Sequence, residues 1–175
     1  MKLLSQTEGQ PNDYPDVTSL TTEQAALNLP ALWQRIEHWI AWRWAERTVT
    51  WIVEGEGDWF PPLTPYTITT AERWTGSEYE AVSLNDAPLG LRLNGGTYRI
   101  TATVGSTETP PGDVLEAFRR LAEYLAADNY LGPVNNNLDT SMADFHFSAR
   151  RAQNWHARAL EYSGAADLLR RYRTA

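Results

Sequence analysis

Residues 89–104 read LGLRLNGGTYRITATV and contain the clearest local pattern of the chain. On either side of Asn94-Gly95-Gly96, apolar and polar residues alternate, which is typical of strands with one buried face. Asparagine followed by glycine favours the positive backbone dihedrals of a tight turn. The stretch therefore predicts a β-hairpin of residues 89–93 and 97–104, with positive φ at one or both glycines.

Segments before this hairpin extend the β prediction. Residues 48–53 are dense in β-branched and aromatic side chains, and residues 66–74 and 79–84 are strand-like on either side of a Gly76-Ser77 turn. The proline-rich stretch 61–65 is expected to be a stiff connector. We therefore predict a small antiparallel sheet drawn from about residues 48–104.

Helical patterns flank the predicted sheet on both sides. Their apolar residues recur at spacings of three and four, and Thr21 with Gln24 has the spacing of a capping box. The predicted helices cover residues 21–29, 31–47, 113–128, 142–162 and 165–173. Residues 1–17, with Gly9, Pro11 and Pro15, are expected to be a loose arm. The fold class expected is α+β: a mostly helical bundle with a small antiparallel β-sheet insertion and a C-terminal helical extension.

Trp42 lies off the apolar face of the predicted 31–47 helix. A tryptophan in that position favours a second buried surface, such as a contact between subunits.

Charge is unevenly distributed along the chain. The formal net charge is −7, but residues 1–140 contain 9 basic and 19 acidic side chains, while residues 141–175 contain 6 arginines and 3 acidic residues. An acidic body argues against general nucleic-acid binding. A chain with no cysteine, no long apolar run and no secretory signal at its start is expected to stay in the cytosol where it is made.

Sequence motifs for chemistry are missing. The chain contains no phosphate-binding glycine loop, no zinc-protease motif, no calcium loop and no serine-hydrolase elbow. His146 and His156 are ten residues apart, which does not match metal-ligand spacing on a helix. The sequence therefore predicts neither an enzyme nor a cofactor or metal site.

The order of elements resembles one known family. TTEQAAL at 21–27 opens a short capped helix, WAER at 44–47 closes a longer one, and WFPPL at 59–63 crosses to the hairpins. PGDVLEAF at 111–118 then opens a helix, and GAADLLRRYR at 164–173 ends the pattern. This order is similar to the head–tail adaptor (connector) family of long-tailed phages and gene transfer agents. Residues 132–163 depart from the family, whose members often have only a brief connection there.

The resemblance implies a structural protein of the virion neck, assembled in the host cytoplasm. Copies would form a homo-oligomeric ring matching a twelvefold portal, bind the portal on one side and stopper or tail proteins on the other, and extend the DNA channel. Genomic DNA would pass through without sequence-specific binding, and no membrane is involved. Residues 1–131 would be the adaptor core, and residues 132–175 a linker with a basic helical extension. The family has no catalytic residues.

The basic extension is the predicted partner-binding site. We expect residues 141–175 to project from the body and dock on the portal, because arginine pairs with carboxylates through two parallel hydrogen bonds and stacks on aromatic rings. The alternative is that the extension folds back and pairs with its own acidic body. The predicted contact residues are Arg150, Arg151, Trp155, Arg158, Arg170, Arg171, Tyr172 and Arg173.

Three other functions remain open from the sequence. A carbohydrate-binding module could use surface tryptophans as sugar platforms, although most tryptophans lie between residues 33 and 59, where packing explains them. A small hydrolase would need a pocket with a strongly shifted carboxylate or histidine. A stopper or tail terminator of the phage neck would be indicated by a predominantly β fold.

Overall fold

The computed structural model describes residues 1–11, 13–88, 90–129, 137–142, 145–150 and 158–173. These residues form two compact units. The sheet unit comprises Met1–Pro15, Ala41–Thr109 and Tyr172–Ala175, and the helical unit comprises Asp16–Ile40 and Pro110–Arg171. Within the described ranges, no helix is both long and apolar enough to cross a membrane.

The sheet unit is built on six antiparallel strands. Their spatial order is β1-β2-β6-β3-β4, and β5 pairs with β6 outside this path. The long strands β2 and β6 are central because they pair from Arg47 opposite Val104 to Trp59 opposite Leu91. The bounds are β1 Lys2–Glu8, β2 Arg47–Trp59, β3 Tyr66–Trp74, β4 Tyr79–Ala81, β5 Asn85–Ala87 and β6 Gly90–Val104.

Alternating residues of the central strands form the core of this unit. On β2, Val49, Trp51 and Val53 are buried, and the residues between them are partly or fully exposed. Tyr98, Ile100, Ala102 and Val104 are the buried partners on β6. Trp59, Leu63, Leu91 and Leu93 continue the same cluster. The alternation in the sequence therefore identifies the buried face correctly.

The predicted hairpin at residues 94–96 is wrong, although its glycines have the predicted conformation. β6 runs without a break through Asn94, Gly95 and Gly96, and φ is 82° at Gly95 and 102° at Gly96. The pairing with β2 steps from Glu54 opposite Thr97 to Glu56 opposite Asn94, so both glycines lie opposite one residue. This is a β-bulge, which uses the same glycine conformations as a tight turn. The Gly76-Ser77 turn is confirmed, since Trp74 pairs with Tyr79 across it.

The prediction of a loose arm over residues 1–17 is also wrong for its first half. Lys2–Glu8 forms β1, which pairs with β2 from Lys2 opposite Glu54 to Glu8 opposite Val49. The strand is almost fully exposed. It therefore lacks the burial pattern by which a strand is normally recognised.

The helical unit contains one long helix and several short ones. The Thr21 side chain and the Gln24 side chain cap each other's backbone N–H groups, so the predicted capping box is confirmed. Trp33 on the second helix packs against Phe118 on the third, with ring centroids 4.8 Å apart. The bounds are α1 Thr22–Ala25, α2 Leu29–Trp39, α3 Gly112–Asn129, α4 Ala159–Tyr162, α5 Ala165–Leu168 and a 3-10 helix, Arg170–Tyr172.

Four of the five predicted helices differ from the structure, and those predicted over 21–29 and 165–173 are shorter, ending at Ala25 and at Leu168 before the 3-10 helix. The helix predicted over 31–47 ends at Trp39, because Ala41 and Arg43 instead exchange backbone hydrogen bonds with Thr64. The helix predicted over 142–162 is wrong over residues 145–150, where β8 (Phe145–Arg150) pairs antiparallel with β7 (Asn137–Met142). The helix predicted over 113–128 is confirmed as α3.

The expected fold class is therefore corrected. The chain is mostly antiparallel sheet, at 37% strand against 30% helix, and it is not a mostly helical bundle with a small insertion. Local periodicity located most segments. It did not predict the full length of β2 and β6, nor that residues 2–8 form a strand paired with β2. The predicted domain boundary at 131/132 lies outside the described residues.

Gly96 offers a direct test of the bulge. Gly96→Ala is expected to lower the free energy of unfolding by about 1–2 kcal/mol, because an L-residue is strained at positive φ. A Cβ at this position would also lie 3.2 Å from Arg73 Nε. Denaturant unfolding would measure the loss.

Gly112→Ala is the matched control for that substitution. Gly112 has no positive φ, and a Cβ there meets nothing within 4 Å. Its unfolding free energy should stay within about 0.5 kcal/mol of the wild type or rise slightly, since alanine favours helix. Equal losses in the two variants would contradict the bulge assignment.

Candidate functional site

Residues 158–171 of the C-terminal segment belong to the helical unit. Leu160, Ala165 and Leu169 are buried, and both α4 and α5 contact α3. The prediction that this segment projects from the body is therefore wrong for residues 158–173. The prediction was based mainly on the change from an acidic body to a basic C-terminal region. The position of the segment is instead determined by the buried apolar residues between its arginines.

The predicted contact arginines of this segment remain accessible. Arg158, Arg170, Arg171 and Arg173 are exposed. Arg171 Nη2 lies 3.0 Å from Asp113 Oδ2 at the start of α3. The Arg171 side chain is 64% exposed, so this ion pair contributes at most about 1 kcal/mol. The segment therefore combines a packed apolar face with an arginine-rich outer surface.

Tyr172 is a packing residue of the sheet unit. Its ring meets Trp44 edge-on at 5.5 Å and Trp42 at 6.1 Å, and the two indoles are 5.5 Å apart. The Ala41 N–H donates to Tyr172 O at 3.0 Å. The helix on which Trp42 was expected ends at Trp39, and the Trp42 ring instead contacts those of Trp44 and Tyr172 of the same chain.

Three of the predicted contact residues belong to the segment before α4. The backbone of Arg150 ends β8. Arg151 and Trp155 lie outside the described residues.

Sequence reasoning missed a buried ionic cluster that holds β1. Arg43 Nε and Nη2 donate to the two carboxylate oxygens of Glu8 at 2.9 and 3.1 Å, and Arg47 Nη1 lies 3.7 Å from Glu8 Oε2. Both arginines are buried. Gln6 adds a further attachment, since its side-chain oxygen accepts from Trp51 Nε1 at 3.0 Å. The arm was predicted loose because these partners are about 35 or more residues away in sequence.

The charge state of Glu8 follows from its surroundings. Burial raises the pKa of Glu8, but the hydrogen bond and charge of Arg43 and the charge of Arg47 outweigh burial, so the net pKa lies below its usual value. Glu8 is therefore ionised at neutral pH. The folded state stabilises that ionised form, which links β1 attachment to pH.

The edge of the sheet opposite β1 has a patch of aromatic and charged side chains. Trp74 on β3 packs against Tyr79 on β4 with ring centroids 5.0 Å apart, and Arg99 lies 4.3 Å from the Tyr79 ring centroid. Glu72 accepts two hydrogen bonds from Arg99, at 2.5 and 2.8 Å. The hydrogen bond from Arg99 lowers the pKa of Glu72, and the same bond raises the pKa of Arg99. We call these four residues, Glu72, Trp74, Tyr79 and Arg99, the hairpin patch.

The tryptophans bear on the carbohydrate alternative. Trp33, Trp44, Trp51 and Trp59 are buried, whereas Trp74 is 42% exposed. Trp39 and Trp42 are half-buried, and Trp155 is outside the described residues. One exposed indole beside one tyrosine is a small platform for a sugar.

Comparison of the chain with protein-family models, curated proteins and solved structures finds no significant match. Three surfaces of the described residues bear on function: the arginines of the C-terminal segment, the edge strand β1 and the hairpin patch.

Glu8→Gln is expected to lower the free energy of unfolding by about 2 kcal/mol at pH 7, because hydrogen bonds to charged groups contribute roughly 1.5–3 kcal/mol. The wild type should lose this stabilisation as the pH falls below the unfolded-state pKa of about 4.3 and through the lower folded-state pKa. The variant should show a shallower decline in stability over that acid range. Denaturant unfolding between neutral and acid pH measures both effects.

Glu108→Gln, in an exposed loop, is the control for the loss of one carboxylate. Its unfolding free energy at pH 7 should stay within about 0.5 kcal/mol of the wild type. A Glu8→Gln protein with unchanged stability and an unchanged acid profile would show that the cluster does not hold β1.

Tyr172→Ala is expected to lower the free energy of unfolding by about 1–3 kcal/mol, because two aromatic contacts of about 0.5–1.5 kcal/mol each are lost. The near-ultraviolet circular dichroism of the indoles should fall with it. Tyr162→Ala is the control, since Tyr162 is 48% exposed and its ring centroid lies 6.4 Å from that of Tyr124. Similar losses in the two variants would contradict a packing role for Tyr172.

Proposed function

We propose that the chain is a head–tail adaptor, a structural subunit that forms a ring between the portal and the stopper or tail of a long-tailed phage or phage-derived particle. The observation that supports the proposal is the order of the elements α1, α2, the strands β2 to β6, α3 and the short C-terminal helices, to which this chain adds β1 at the start and the pair β7–β8 after α3. This is the order on which the resemblance to adaptors rests. The sheet is larger than the resemblance implies.

The exposed arginines are the proposed portal-docking surface. Arg158, Arg170 and Arg171 lie on a segment of the helical unit fixed by buried Leu160 and Leu169 rather than on a free extension, and Arg173 follows Tyr172 in the sheet unit. Fixing the segment lowers the conformational entropy lost on binding. Arginine pairs well with carboxylates of a partner, and a ring repeats each weak contact in every copy.

Acidic residues of the sheet unit fit a channel that DNA passes through. Glu54 and Glu56 are exposed on β2, near the exposed ion pair of Asp58 and Arg92. Carboxylates repel the phosphate backbone, so DNA would slide along such a surface without adhering.

A second candidate is a stopper or tail terminator of the same neck. The six-stranded antiparallel sheet favours this candidate, because a predominantly β fold is the feature expected to indicate a stopper or terminator. The two candidates differ in partner. An adaptor binds the portal directly, whereas a terminator binds the end of the tail tube.

The test is binding of the purified full chain to purified portal rings and, separately, to tail tubes of the same particle, imaged by electron microscopy. An adaptor is expected to add a ring of density beneath the portal. Binding to tail tubes alone would select the terminator, and binding to neither would refute a neck function. A glycan array run on the same protein tests the carbohydrate alternative.

Deletion of residues 164–175 would also remove two packing residues, buried Leu169 and half-buried Tyr172, and so lower stability. Substitution of the exposed arginines tests the docking surface without that loss. Arg170→Gln with Arg173→Gln is expected to weaken portal binding about tenfold or more, since differences of about 0–1 kcal/mol per contact add over the ring. Arg92→Gln with Arg120→Gln removes the same charge from other exposed positions and should bind like the wild type. Equal weakening of portal binding in both double variants would show that only net charge matters, and would contradict the proposed docking surface.

A further inference from the structure

In the described residues the sheet has two lateral edges, β1 and β4, which do not pair with each other. Among the described residues, β1 pairs with β2 and β4 pairs with β3, so these strands end the path β1-β2-β6-β3-β4. Three strands lie between them. A strand at an edge presents unpaired backbone N–H and C=O groups on its outer side, which can pair with another chain.

The β1 edge is long enough to pair with a strand of another chain. It is seven residues long and contains no proline, although a bulge lies at Leu4. Leu3 and Leu4 are 43% and 45% exposed. Lys2 is exposed beside them, so the start of this edge is apolar with a positive charge next to it, and the exposed residues that follow, Ser5, Gln6 and Thr7, are polar.

The β4 edge has the complementary composition. Glu78 and Glu80 are exposed there, and Trp74 of the hairpin patch is 42% exposed directly across from Tyr79. Tyr79 is held in place by Trp74 on one side and by Arg99 on the other. This edge therefore offers an ordered aromatic surface and two negative charges.

We propose that β1 of one copy adds in parallel to the β4 edge of a second copy, so that one sheet continues from subunit to subunit. Leu3 and Leu4 then pack against Trp74 and Tyr79, and Lys2 lies near Glu80. Because the two edges differ, the contact is head-to-tail and repeats, and it closes into a ring only when the rotation between copies divides a full turn. This inference rests on the proposed function, for which it supplies the lateral contact.

The expected strength of the contact is modest. Pairing of one short strand buries less than the roughly 1,200 Å² typical of a stable interface, so association of the free protein should depend on concentration. Closure of a ring strengthens it, because the last copy binds at two edges at once.

Cysteine cross-linking tests the arrangement, since the chain contains no cysteine of its own. A chain with both Leu4→Cys and Glu80→Cys, at high concentration, is treated with a short bismaleimide, which tolerates a shift of one residue in register. The expected product is a ladder of dimers, trimers and larger species in denaturing gels. An equal mixture of the two single variants should give dimers and stop there.

A matched control replaces one edge position. The chain with Glu80→Cys and Glu108→Cys keeps two exposed cysteines but places one in a loop away from β1, and it should give no ladder. Absence of a ladder from the Leu4→Cys/Glu80→Cys chain would overturn the proposal. Efficient dimers from Leu4→Cys alone would also overturn it, because they would show that β1 pairs with β1.

Charge reversal provides an independent measurement on chains without cysteine. Lys2→Glu and Glu80→Lys should each weaken self-association about three- to tenfold in sedimentation velocity, and the double variant should restore it towards the wild type. Circular dichroism checks that each variant folds. Equal association of all four proteins would contradict the β1–β4 contact.

The two proposals fail separately. If the ladder is absent and the portal still binds, the adaptor function stands and its lateral contact lies elsewhere. If the ladder forms and the chain binds no portal, the strand contact stands and the adaptor function is wrong.

Discussion

The antiparallel pairing of β2 with β6 is the constraint on which the sheet unit depends. It aligns Val49, Trp51 and Val53 with Ala102, Ile100 and Tyr98, so that one face of both strands is buried together. β1 pairs with the outer side of β2, and β3 and β5 pair with β6. A slip of one residue would turn every one of these side chains to solvent. The bulge at Gly95 and Gly96 fixes the alignment, because it absorbs one extra residue at a defined place.

Several elements of this fold are predictable from sequence because their signals are local. The capping box of Thr21 and Gln24 needs only four consecutive residues, and α3 shows its apolar stripe within one segment. The alternation of residues 97–104 likewise predicts a strand and its buried face. The Gly95-Gly96 pair is a local signal that fits two structures. Positive φ is required both in a hairpin turn and in a bulge, and only pairing with β2 distinguishes the two.

Other elements depend on partners that are distant in sequence. β1 has no buried side of its own, and the ionic cluster of Glu8 with Arg43 and Arg47 forms only when residues more than 30 positions apart meet. The apolar spacing that predicted a helix to residue 47 is equally compatible with a bend after Trp39. Net charge gave the C-terminal segment its predicted role, but charge does not specify position. Buried Leu160 and Leu169 determine where that segment packs, and its arginines are exposed on the outside.

The division of the chain between its two units has a consequence for synthesis on the ribosome. The chain passes from one unit to the other at residues 15/16, 40/41, 109/110 and 171/172. Helix α2 is therefore made before the whole stretch 41–109, while Phe118, the partner of its Trp33, follows that stretch. At about 5–20 residues per second, the apolar face of α2 waits several seconds for α3. During that interval the nascent helix is a ready target for chaperones that bind exposed aromatic side chains, and the helical unit is completed only after the sheet strands have been made.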